Sequence, residues 1–194
     1  MSETQRICIY CGSSNNVEEH FKKAAYELGH MLAEGGYGLV YGGGSVGLMN
    51  EVAQGALDAG GEVIGVIPQK LLDLEVGRTD LTELHVVQGM HARKLKMAEL
   101  AHSFIALPGG YGTLEELFEV TTWTQLHYHK KPIGILNIGG YYDHLIAFLD
   151  HANKQGFIRD LHRPLIQCSA DADDLLNKLA NYSIPELDQW ISNP

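Results

Sequence analysis

Basic charge is what this sequence has least of. Its 14 Lys and Arg stand against 24 Asp and Glu, for a formal net charge of −10. Nonspecific nucleic-acid binding relies on a basic face that replaces phosphate counterions, so DNA or RNA is excluded as the main partner. An acidic chain can still hold an anion where backbone N–H groups and a few local cations supply the field. Cysteine is scarce too, and Cys8, Cys11 and Cys168 make no disulfide framework. No apolar run approaches the roughly 20 residues needed to cross a bilayer. The opening MSETQRICIY lacks the basic region, apolar stretch and cleavage site of a secretory leader. A cytoplasmic protein without membrane contact is expected. Linkers, internal repeats and low-complexity tracts are absent as well, so residues 1–194 are expected to form one domain. None of the ten histidines belongs to an HExxH-type motif, and His127 and His129 lack Cys or acidic partners at ligand spacing. Neither a metal nor a cofactor is predicted.

Glycine, by contrast, is plentiful, with 22 residues gathered in clusters after apolar runs. The pattern predicts strands at 6–10, 38–41, 62–67 (stopped by Pro68), 84–87, 103–107, 133–136 and 165–168. Helices are expected from about 18 to 34, after the loop 42–47 to about 59, at 90–101, at 113–127, near 141–155 and at 171–181. Residues 69–83 read as polar and irregular. Strands alternating with helices, and apolar throughout, predict an α/β fold: a doubly wound, mainly parallel sheet with helices on both faces, Rossmann-like and suited to nucleotides. Ligands in such folds bind beyond the carboxyl ends of the strands, where the glycine clusters fall.

Three strand-to-helix junctions are marked by glycine: Cys11-Gly-Ser-Ser14, Gly42-Gly-Gly-Ser-Val-Gly47 and Pro108-Gly-Gly-Tyr-Gly-Thr113. Tight turns need glycine anyway, but a helix start beside each also offers free N–H groups to phosphate. Gly42, Gly44 and Gly47 fit G-x-G-x-x-G, yet after the second strand rather than the first. The following strand ends in Pro68-Gln69 without an acidic residue, and Glu62 lies at its wrong end, which argues against NAD. In the third junction, Thr113 and Glu116 are spaced as a capping box, whose only role would be to satisfy backbone donors. A carboxylate there can equally face a ligand, with Glu115 turned about 100° away around the helix. Met90-His-Ala-Arg-Lys94 opens a helix with two cations that oppose its dipole. They read either as solvated side chains or, beside glycine loops in an acidic chain, as anion ligands. Cys8 and Cys11 form C-x-x-C on a strand, on opposite faces and roughly 10 Å apart, too far for a disulfide. Trp123 reads as core.

With Pro108-Gly-Gly-Tyr-Gly-Thr-Leu-Glu-Glu116 and Met90-His-Ala-Arg-Lys94 both matched, the chain resembles the Lonely Guy (LOG) family. These are cytokinin riboside 5′-monophosphate phosphoribohydrolases, formerly labelled lysine decarboxylases. The resemblance extends over nearly the whole chain, including Cys11-Gly-Ser-Ser14, Tyr41-Gly-Gly-Gly44 and Gly139-Gly-Tyr-Tyr142, with no departure at the catalytic positions. It implies hydrolysis of a nucleoside 5′-monophosphate to free base and ribose 5-phosphate, with Arg93 and Glu116 as the catalytic pair. Nucleotide contacts are implied for Glu75, Arg93, Lys94, Gly109, Gly110, Tyr111, Gly112, Thr113, Leu114, Glu115 and Thr121. Gly12, Ser13, Gly43 and Gly44 join them from the other glycine junctions. A homodimer with its site near the interface is implied as well. The competing readings are a nucleotide or molybdenum-cofactor carrier of the same fold, and a decarboxylase, whose chemistry normally needs pyridoxal on a lysine.

Overall fold

The structure, a computed structural model, describes residues 4–75 and 77–183, with Glu75 described by its backbone alone. The strands are β1 (Arg6–Tyr10), β2 (Gly38–Tyr41), β3 (Val63–Pro68), β4 (Glu83–Val87), β5 (Ser103–Ala106), β6 (Ile133–Leu136) and β7 (Ile166–Ser169). The α-helices are α1 (Glu19–Glu34), α2 (Gly47–Asp58), α3 (Gln69–Glu75), α4 (Met90–Leu100), α5 (Tyr111–Gln125), α6 (Asp143–Lys154) and α7 (Ala172–Asn181). Every strand pairing is parallel, in the order β4-β3-β2-β1-β5-β6-β7.

Alternation along the central strands feeds two apolar layers. Ile7 and Ile9 of β1, Leu39 and Tyr41 of β2 and Ile105 of β5 pack with α1, α2 and α7. Cys8 and Tyr10, Val40, and Phe104 and Ala106 point the other way, against α4, α5 and α6. Cys11 packs on the first layer while Cys8 belongs to the second, and all three cysteines are free thiols. Trp123 packs against the second layer, as expected of a core residue. Side chains buried on both faces explain why these strands read as unbroken apolar runs. The edge strands β4 and β7 are only partly buried.

Where α1 and α2 cross, both put glycine at the contact. A Cβ on Gly29 would stand 2.0 Å from the Val52 carbonyl oxygen, and one on Gly55 the same distance from that of Tyr26. The helix backbones therefore touch directly, and this pair packs over the first face.

Three expectations need correction, the first being the stop at Pro68, since β3 runs through that residue, which pairs with Val87 of β4. Residues 69–75, read as irregular, form α3: Gln-Lys-Leu-Leu-Asp-Leu-Glu is a short helical stretch that follows directly on Pro68. Helix α5 starts at Tyr111 rather than Thr113, because Gly110 already takes the extended N-cap position.

Strand order reverses beside β1: the chain steps outward through β2, β3 and β4, then returns to lay β5 on the other flank of β1. The connections leaving β1 and β5 diverge there and leave a crevice at the carboxyl edge of the sheet.

Candidate active site

That crevice is a cleft of about 270 Å³, walled by the ends of β1 and β2, by α4 and by the start of α5. Its floor is braced by backbone bonds between loops. Gly12 N–H donates to the Pro108 carbonyl at 3.0 Å, and Leu48 N–H to the Gly12 carbonyl at 3.0 Å. From outside, the Tyr142 hydroxyl donates to the Leu107 carbonyl and the Tyr141 hydroxyl to the Gly109 carbonyl, each at 2.7 Å. The Gly139-Gly-Tyr-Tyr142 segment thus buttresses the Pro108 loop, a role sequence spacing did not reveal.

The three glycine junctions are not equivalent. At the start of α2 the Gly47 N–H is already taken by the Asn15 side chain, at 2.8 Å. Gly43 is turned toward Ile67 and Leu84, and neither it nor Gly44 lines the cleft. Helix α5 has no side-chain cap, and a Cβ on Gly110 or Gly112 would meet open space. The free N–H groups of its first turn therefore face the cleft with the positive end of the helix dipole. Gly109 lies too close to Thr113 for any side chain, since a Cβ there would fall 2.1 Å from Oγ1.

Arg93, on the second turn of α4, is 8% exposed rather than solvated. Its Nε donates to the Val66 carbonyl at 3.1 Å and its Nη2 to the Gly42 carbonyl at 2.9 Å. A Cβ on Gly42 would lie 2.0 Å from Nη2, so glycine at the end of β2 is what lets the guanidinium settle there. Glu116 faces the same cleft from α5. No capping box forms, because Thr113 and Glu116 both lie inside the helix. Burial pushes the Glu116 carboxyl up to about 7, against the opposing pull of Arg93 and Lys94; Glu115 and Glu119 push it further upward.

Of the residues expected at the site, the cleft brings together Gly12, Ser13, Arg93, Gly110, Tyr111, Gly112, Thr113, Glu115 and Glu116. It leaves out Lys94, Gly109, Leu114 and Thr121 along with Gly43 and Gly44. Lys94 is 6% exposed and bound to the carboxylates of Glu115 and Glu119. Thr121 lies on a separate hollow between α5 and the 160s, its hydroxyl donating to the Leu117 carbonyl at 2.7 Å. The Glu75 side chain lies outside the described residues. Reasoning from spacing missed Met49, Met90 and Met97, which supply an apolar wall. The cue available was that methionine is unusually adaptable at ligand surfaces.

A family model described as "Possible lysine decarboxylase" matches residues 49–179. The cytokinin riboside 5′-monophosphate phosphoribohydrolase LOG of Oryza sativa subsp. japonica is 50% identical over 185 residues, which cover 95% of this chain and 76% of that protein. Its Arabidopsis thaliana counterpart LOG7 is 47% identical over 191 residues, covering 98% of this chain and 88% of that one. Among solved structures, the molybdenum cofactor binding protein of Rippkaea orientalis superposes with a TM-score of 0.71 at 24% identity, over 93% of this chain and 98% of the other. That last likeness is one of fold alone. The near-complete matches at about half identity and the family model agree: the chain belongs to the LOG family of cytokinin riboside 5′-monophosphate phosphoribohydrolases, the family whose model is described as possible lysine decarboxylase.

Proposed function

We propose that this protein cleaves the N-glycosidic bond of a nucleoside 5′-monophosphate, AMP or an N6-modified cytokinin-type AMP, to free base and ribose 5-phosphate. The observation that carries the proposal is a raised carboxyl, Glu116, sharing a cleft with the fixed guanidinium of Arg93 beside an uncapped helix start. The 5′-phosphate is held by the first-turn amides of α5, and that remote binding energy orients the sugar. As the bond to the base breaks, the sugar gains oxocarbenium character. An ionised Glu116 stabilises that charge and accepts a proton from the water that attacks the anomeric carbon. A carboxyl near 7 is well matched to this proton transfer at neutral pH. Arg93 keeps the carboxylate accessible and orients the ribose phosphate. In the carrier reading, nothing requires a half-buried carboxyl opposite the guanidinium. A decarboxylase would need a lysine amine for pyridoxal, and no lysine among the described residues lines the cleft.

The proposal includes a cytoplasmic homodimer. An apolar groove of about 390 Å³ between α4 and α5, with Leu95 and Tyr128 exposed, gives a second copy a surface to cover. Sedimentation at micromolar concentration checks this, and a monomer refutes it. The activity is tested by incubating the protein with AMP and with adenosine and separating the products by chromatography. Adenine is expected from AMP at a far higher rate than from adenosine. Equal rates would remove the phosphate anchor, and release of no free base from either AMP or N6-isopentenyl AMP would remove the function. A panel of AMP, GMP, CMP and N6-isopentenyl AMP then fixes the base.

A further inference from the structure

Five charged side chains meet between α4 and α5: Arg93 and Lys94 from the one, Glu115, Glu116 and Glu119 from the other. They are not paired at random. The Lys94 ammonium binds Glu115 and, at 3.0 Å, Glu119. No ion pair forms between either cation and Glu116 among the described residues. The lysine side chain is 7% exposed and does not reach the cleft wall, whereas Glu115 does. One oxygen of Glu119, Oε2, is buried without a hydrogen-bond partner. Lysine has only three donors, and two are committed to these carboxylates.

We propose that Lys94 is a positioning residue for the reaction: it ties Glu115 and Glu119 into an ion-paired triad that shields Glu116 from their charge, rather than gripping the substrate phosphate. The inference rests on the phosphoribohydrolase reading for its consequence, although the triad itself does not. Glu115 and Glu119 both favour the protonated form of Glu116, and Lys94 and Arg93 oppose them. On the β1 side Glu116 faces Cys8, Tyr10 and Cys11, all of which burial keeps neutral. The balance of charge on Glu116 is therefore set by α4 and by its own helix. With Lys94 removed, the carboxylates one residue before and three residues after Glu116 on α5 lose their counter-ion, and Glu116 is held protonated at the pH where it must be ionised.

The test follows the Glu116 carboxyl directly, by ¹³C NMR titration of protein labelled at glutamate Cδ, with the signal assigned by its loss in Glu116→Gln. The pH profile of adenine release from AMP is recorded in parallel. Lys94→Met is expected to raise the Glu116 midpoint by about one pH unit, and to move the acid limb of the profile with it. Adding Glu119→Gln to Lys94→Met brings both part of the way back, and Lys94→Arg keeps them near wild type. An unmoved Glu116 midpoint together with a tenfold higher KM for AMP overturns the proposal in favour of direct phosphate binding. Should Lys94→Met not fold, Glu119→Gln alone must lower the midpoint, and an unchanged midpoint there is equally fatal. Because NMR reads the carboxyl without turnover, a wild type that releases no adenine counts against the function and leaves the triad to be judged separately.

Discussion

Glu116 carries a cost that its chemistry explains. Its folded-state midpoint near 7 lies above the ordinary glutamate value of 4.5, so between those limits the folded protein binds more protons than the unfolded chain. Stability contributed at this position is fully present below about 4.5 and is lost as pH rises through 7. Glu116→Gln removes the buried charge, and at pH 8 it should stabilise the fold by about 3 kcal/mol. Thermal melts at pH 5 and pH 8 check this: the variant's gain over wild type should be several-fold larger at the higher pH. Gly42 gives a complementary case. Its missing Cβ makes room for the far end of a flexible side chain, so Gly42→Ala should displace the Arg93 guanidinium without unfolding the protein. Turnover should fall at least tenfold, about 1.4 kcal/mol of transition-state stabilisation, with a melting temperature close to wild type. Normal turnover in this variant would dissociate Arg93 from the chemistry.

Among the elements, the α1–α2 crossing is the most sensitive to added volume. A methyl on Gly55 meets the Tyr26 carbonyl of α1, which can retreat only by moving the helix. Gly55→Ala should therefore cost about 2 kcal/mol or more, read as a lower urea midpoint, while residual folded protein keeps its activity. The strands and most helices were legible because their apolar periodicity is local: β1, β2 and β6 fall at the expected residues. Helix α3 was not, since seven residues with three leucines fit an irregular loop as well as a helix turn. The capping-box alternative could not be dismissed from the sequence for a related reason. Thr-x-x-Glu spacing is a local signal, and it could not show that Gly110 begins the helix two residues earlier. Local motifs identified Arg93 and Glu116, but their surroundings come from distant chain. Carbonyls of Val66 and Gly42 hold the arginine across 27 and 51 residues, and Lys94 finds its carboxylates 21 and 25 residues away. Spacing alone gives no access to such contacts.

On the scale of the whole molecule, the proposed function has a chain with net charge −10 take an anion by concentrating opposite polarity at one place. The reversal of strand order beside β1 opens the crevice, α5 brings its amides there, and Arg93 adds the cation. Ribose 5-phosphate should then stabilise the protein by about 2.7 kcal/mol at a hundredfold excess over its Kd, and ribose alone much less at equal concentration; equal thermal shifts would deny the phosphate its site. In the proposed function, the loop before α5 and α4 converge on one sugar phosphate. Adenine release from AMP by wild type and by Glu116→Gln, at pH 8 where both are folded, tests that convergence most directly. The account predicts a loss of at least a thousandfold, about 4 kcal/mol, in the variant; turnover within a few fold of wild type would contradict it.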